Sequence, residues 1–111
     1  MGCKDCALKN EQEIAYRGNP DAEVVFIFES AGHKEIEHGK MLIGKSLDYT
    51  VKECNRAGLD FNSLFLMNAA RCRIDKEQLT DAQQGEVLKN CRPNVEAALS
   101  EIKPKLIVCF G

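Results

Sequence analysis

Residues 23 to 29, EVVFIFE, decide the fold. The segment is an apolar run of β-branched and aromatic residues, and the turn signal Gly18-Asn19-Pro20-Asp21 stands just before it. It therefore reads as a strand buried on both faces rather than on one. Residues 64 to 69 (LFLMNA) and 105 to 110 (KLIVCF) repeat the pattern. Strands of this kind belong to parallel sheets covered by helices. Between the first two, Leu47, Val51 and Cys54 recur at helical spacing and Gly58 offers a stop, so residues 46 to 57 suit an amphipathic helix with Ser46 as N-cap. Between the second and third, Thr80 or Asp81 can cap a helix running to about Asn90. Pro93 then opens another, whose stripe of Val95, Ala98, Leu99 and Ile102 ends before Pro104. The expectation is an α/β fold, a three-layer α/β/α arrangement around a parallel sheet of about three strands.

Right-handed crossovers put the C-terminal ends of all three strands on one edge of such a sheet, where open α/β folds bind ligands. The residues delivered there are Glu29, Ser30, Ala31 and Gly32 from the first strand, residues 68 to 73 from the second, and Gly111. A long loop follows the first strand, residues 30 to 45, with glycines at 32, 39 and 44. Loops of that length in a small domain are usually functional.

At 111 residues the chain has the length of one small domain, and 44% apolar with 29% charged residues is a globular composition. Fifteen Lys and Arg against seventeen Asp and Glu leave a net charge of -2. The molecule as a whole has no electrostatic pull toward phosphate backbones, and nucleic-acid binding would need a local patch. No apolar run approaches the ~20 residues of a membrane helix and the N-terminus carries no apolar signal region, so the expectation is a cytoplasmic protein with no membrane partner. Six cysteines in such a compartment point to metal or redox work rather than to a disulfide framework.

Residues 39 to 46, GKMLIGKS, satisfy the phosphate-binding P-loop pattern. A P-loop follows its strand directly, however, and KMLI is too apolar for a phosphate cradle, so nucleotide binding stands only as an alternative. Cys3 and Cys6 form a C-x-x-C pair that Cys72 and Cys91 would complete to four thiolates, compatible by spacing with zinc or with an iron-sulfur cluster. Cys54 and Cys109 fall within predicted elements as core thiols. Asn68 closes an apolar strand, and an amide there can both accept and donate to the edge of a pyrimidine; the plain alternative is a turn residue. Glu29, Glu35 and Glu37 bring carboxylates near the same edge, able to orient water or face a cationic transition state. His33 and His38 are too few to define a ligand set.

Taken together, these pieces resemble the iron-sulfur, family 4 uracil-DNA glycosylases, a domain that also occurs attached to some phage DNA polymerases. The resemblance runs along the whole chain: CKDCAL at the start, GNPDAEVVFIF at the first strand, FESAGHKE with Glu29, Gly32 and Glu35, then GKMLIG, LFLMNAARCR, Cys91-Arg92-Pro93 and IKPKLIV. It accounts for GKMLIG better than a P-loop does.

The resemblance implies a function in base excision repair, hydrolysis of the N-glycosidic bond of uracil in DNA. Cys3, Cys6, Cys72 and Cys91 would bind a structural [4Fe-4S] cluster, with zinc as the alternative metal. Glu29 or Glu35 would position water, Ser30, Gly32, Leu42 and Asn68 would contact the flipped base, and Arg71 and Arg73 would meet DNA phosphates. Leu42 stands where the family stacks an aromatic ring on the base, and Phe28 and Ala31 replace a Gly and a Pro. The family continues past Gly111 into another strand and a His-Pro-Ser motif, so residues 1 to 111 are expected to form a single, incomplete glycosylase-like domain. A second polypeptide or a DNA polymerase would be the partner. A non-catalytic iron-sulfur module that binds nucleic acid is the competing expectation.

Overall fold

The computed structural model describes Cys6, Leu8 and residues 10 to 110; Cys3 and Gly111 lie outside the described residues. The sheet is built around β2 (Val24–Phe28), the strand inside the EVVFIFE segment. Parallel to it on either side run β3 (Phe65–Asn68) and β4 (Leu106–Cys109), with Phe26 level with Leu66 and with Val108. These are the three strands read from sequence, each trimmed at its ends.

Successive residues of β2 and β3 point to opposite faces. Phe26 and Leu66 join a core with Ile14, Ala31, Met41, Leu42, Cys54 and Leu64. Their neighbours Val25 and Met67, directed to the other face, are both 0% exposed. The two strands are thus buried on both faces, as a helix-covered parallel sheet requires. β4 departs from that expectation, because as the outermost strand it leaves Leu106 and Ile107 exposed.

A fourth strand joins the sheet: β1 (Arg17–Gly18), antiparallel to β3 on its outer edge. Two residues are too few to show a period, and close approach to the neighbouring strand holds them in place. Gly18 adopts φ 116, and a Cβ there would stand 2.3 Å from the Leu64 carbonyl oxygen, so only glycine lets β1 come this near. The next residue secures the strand, its N–H donating to that carbonyl over 2.9 Å.

Residues 30 to 45 are not one loop, since α1 (His33–His38) forms within them and stops at Gly39 in the left-handed conformation. α2 (Gly44–Ala57) begins two residues before the expected start, so Ser46 is inside its first turn and Ile43 takes the N-cap position without a side-chain bond. Its end at Gly58, φ 78, is the one read from sequence.

The two helices expected on either side of Pro93 are a single one, α3 (Asp81–Ile102). Thr80 and Gln83 close a reciprocal capping box at its start. Proline removes one intrahelical donor and commonly kinks a helix. Here the stripe Val87, Cys91, Val95, Ala98 and Ile102 keeps one face through that point while Pro93 itself is exposed, so packing carries the helix across. Among the described residues, no helix is long and apolar enough to cross a membrane.

Candidate base pocket and cysteine site

The carboxyl ends of β2 and β3 open into a cavity of about 290 Å³, and Asn68 is the polar group at its base. β3 is short and apolar, FLMN, so its pleat carries Asn68 to the same face as Leu66 and aligns it with Phe28. The residue is only 3% exposed, and its side-chain amide makes no hydrogen bond to another described residue. The amide opens onto the cavity, where water or a ligand can meet its donor and acceptor.

Phe28 stacks on Phe110 with ring centroids 4.7 Å apart, and together they form one apolar wall. Met41 and Leu42, 2% and 6% exposed, form the other. Ser30, Glu35 and, from the first turn of α2, Ser46 add polar groups to the lining. Gly32 stands at the entry to α1, where an added Cβ would fall 2.9 Å from a Glu35 carboxylate oxygen, so the missing side chain makes room for that carboxylate.

Ser30, Glu35, Leu42 and Asn68 are therefore brought to one cavity, with Gly32 supporting Glu35. Glu29 is not among the lining residues; its carboxylate pairs with the Lys76 ammonium at 3.2 Å. Tyr49 and Thr50 of α2 also line the cavity, and sequence reasoning passed over them. The available signal was helical spacing, which puts Tyr49 and Thr50 three and four residues beyond Ser46 on the turn of α2 nearest the pocket. No Lys, Arg or His belongs to the lining among the described residues. The burial of Met41 and Leu42 also removes the nucleotide-binding alternative, because the middle of GKMLIGKS packs into the core instead of forming an open cradle.

A second cavity gathers cysteines. Cys6, Cys72 and Cys91 line it with Leu8, Ala70 and Val87, so it joins the N-terminal segment, the turn after β3 and the middle of α3. Cys91 Sγ accepts from the Arg71 N–H at 3.3 Å and from Asn94 Nδ2 at 3.5 Å, and Cys6 Sγ accepts from the Leu8 N–H at 3.4 Å. Among the described residues, no three metal-binding side chains converge tightly enough for a single ion. Four thiolates at the ~2.3 Å bond length of tetrahedral zinc would stand within about 4 Å of one another. A cluster in which each thiolate binds a different iron spreads them further apart. What the described residues show is three cysteines lining one cavity, a soft donor set of the kind either group uses; Cys3 falls outside the described residues.

Cys54, read as a core thiol, is buried in α2, and burial pushes its thiol above the usual value. Cys109, expected in the core, is exposed because β4 is an edge strand. Arg71 faces inward: its guanidinium lies 5.1 Å from the Tyr16 ring centroid and 3.8 Å from Glu13. Arg73 pairs with Asp75 at 3.4 Å in a more open position. The Glu77 N–H, bonded to Asp75, holds that carboxyl below its ordinary value, with help from Arg73.

The model of the uracil DNA glycosylase superfamily matches residues 15 to 111. A type-4 uracil-DNA glycosylase of Sulfurisphaera tokodaii is 30% identical over 116 residues, which covers 100% of this chain and 50% of that protein. The type-4 enzyme of Saccharolobus solfataricus is 29% identical over 98% of this chain and 50% of its own length, and that of Archaeoglobus fulgidus is 28% identical over 100% and 55%. The chain thus spans about half the length of the curated relatives it matches. These relatives are type-4 enzymes that cover nearly all of this chain, and the chain belongs to the uracil DNA glycosylase superfamily.

Proposed function

We propose that this chain is the base-recognising half of a uracil-excising, iron-sulfur DNA glycosylase of base excision repair. The observation that carries the reading is Asn68, whose amide makes no hydrogen bond to another described residue and lines a largely apolar cavity together with Glu35. A uracil flipped out of DNA presents one ring N–H flanked by two carbonyls, and an amide oxygen and NH₂ match adjacent members of that edge. Phe28, Met41 and Leu42 would pack on the ring faces. Hydrolysis breaks the bond between C1′ and N1: water oxygen joins C1′, and uracil departs with the bonding pair and takes up a proton. Glu35 would orient that water and face the positive charge developing on the sugar, with Glu29 the more distant candidate. Arg73 is the better placed of the two arginines to meet phosphate, given the inward direction of Arg71.

Cys3, Cys6, Cys72 and Cys91 would hold a [4Fe-4S] cluster whose contribution is structural. The cavity shared by the three described thiols and the amide donors on two of their sulfurs support this set. A second polypeptide, corresponding to the other half of the relatives, would complete one cytoplasmic domain; a DNA polymerase is the other partner to test.

The absence of a cationic residue from the described pocket lining favours a second reading, a module that binds uracil-bearing DNA without turning it over. Removal of a charge-stabilising group typically costs on the order of a hundredfold in rate. The deciding experiment is single-turnover excision from single-stranded DNA with one uracil, using excess protein, alone and with a polypeptide covering the second half of the relatives. Excision that Asn68→Ala lowers by about a hundredfold supports the enzyme. Uracil-dependent DNA binding with no abasic product in either mixture establishes the binding module, and equal affinity for uracil and thymine DNA defeats both.

A further inference from the structure

Arg17 was not singled out by any motif, yet its side chain reaches the backbone of the pocket wall from the far edge of the sheet. Its Nη1 donates to the Met41 carbonyl at 3.0 Å and to the Leu42 carbonyl at 3.2 Å, across 24 and 25 residues of sequence. No carboxylate pairs with this cation among the described residues. Its direction is set by β1: the close approach of Gly18 to β3 fixes the strand, and Arg17 sits level with Leu66.

The segment it reaches needs holding. Leu42 adopts φ 55, one of two non-glycine residues with positive φ among those described, and a branched side chain pays for that conformation in steric strain. A left-handed residue within a short connection between two helices relaxes unless its surroundings fix it. Both carbonyls adjoin buried side chains and both are satisfied by one guanidinium.

We propose that Arg17 is a positioning residue for base recognition: it clamps the 41–42 segment in its left-handed turn so that Leu42 forms a fixed wall facing Asn68. The proposal rests on the pocket being the base site, and its test separates the two. Leu methyl and backbone amide NMR would be recorded on the wild-type chain, Arg17→Met, which keeps length and removes the donors, and Arg17→Lys, which restores a donor. Free uracil would then be titrated into each, with melting temperature as the control for folding.

The clamp predicts a displaced Leu42 methyl signal in Arg17→Met and amide exchange about tenfold faster at residues 41 to 44, with β2 and β3 amides unchanged and partial recovery in Arg17→Lys. It also predicts uracil affinity about tenfold weaker in Arg17→Met. An unaltered Leu42 signal in Arg17→Met overturns the clamp, as does uniform loosening of the whole sheet that Lys does not reverse. Equal uracil affinity in the two proteins overturns the role in recognition. If wild-type protein ignores uracil while the Leu42 and exchange effects persist, the pocket assignment fails and the clamp stands.

Discussion

Hydrogen bonding and burial act in opposite directions on two acidic side chains. Asp75 Oδ1 accepts from the Glu77 N–H at 3.0 Å, and the Arg73 guanidinium adds favourable charge, so ionisation is easier in the folded chain than in the unfolded one. The folded-state pKa is depressed; the resulting stabilisation is present above the unfolded value and disappears as pH falls through the folded one. The Asp75 carboxyl should therefore titrate with a midpoint below 3.8, and the amides of Glu77 and Gln78 should hold their shifts until that point. In Asp75→Asn the same amides should lose this acid transition, because the amide oxygen still accepts but no longer titrates. A midpoint at or above 3.8 would refute the account. Cys54 is the reverse case, its neutral thiol favoured by burial. Sequence reading has the same limit at both kinds of site: it names Glu29 and Glu35 as equivalent carboxylates near one edge. Which one enters the cavity depends on the turn at Gly32 and on Lys76, contacts that no spacing rule contains.

Elements are legible where a period or a terminator is present. The apolar runs of β2, β3 and β4 and the stop at Gly58 are of this kind, whereas β1 exists only because β3 is there to pair with it. Pro93 misleads because its local cost is visible in sequence and the continuous stripe that outweighs it spans two predicted elements. That same helix matters for the cysteine site, where three separate segments meet: Cys6 ahead of the sheet, Cys72 after β3 and Cys91 midway along α3. Among the described residues, Leu8 and Cys6 pack on the small cluster of Ala70, Ile74 and Val87. A bound cluster would then act as a cross-link of segments far apart in sequence. Anaerobically purified protein should carry about four iron and four sulfide per chain. Cys91→Ser should lose the iron and open the segment before Ile14 to proteolysis, while β2 and β3 keep their amide protection. Stoichiometric zinc with no iron, or an N-terminal segment equally resistant after iron is stripped, would rule out this role.

At the scale of the whole molecule the two sides of the sheet differ. On one side β1 covers the edge of β3 with only two residues, one of them a glycine. The opposite side presents β4, with Leu106 54% and Ile107 43% exposed, and beside it Phe110 and Tyr49 at 42% and 67%. A parallel strand made of Leu, Ile, Val and Cys has the composition of an interior strand, and its unpaired donors and acceptors are a template for another strand. On the function proposed above, a polypeptide equivalent to the second half of the relatives would cover this edge. Without it, the chain should associate through β4. Sedimentation at increasing concentration should show species heavier than the 12.4 kDa monomer, and Ile107→Lys, which puts a charge on the open edge, should shift the distribution back toward monomer without lowering the melting temperature. Adding a polypeptide equivalent to the second half of the relatives should compete with self-association and slow amide exchange along β4. If Ile107→Lys leaves association unchanged, contact runs through another surface, and the exposed aromatics Tyr49 and Phe110 at the pocket mouth become the next site to vary.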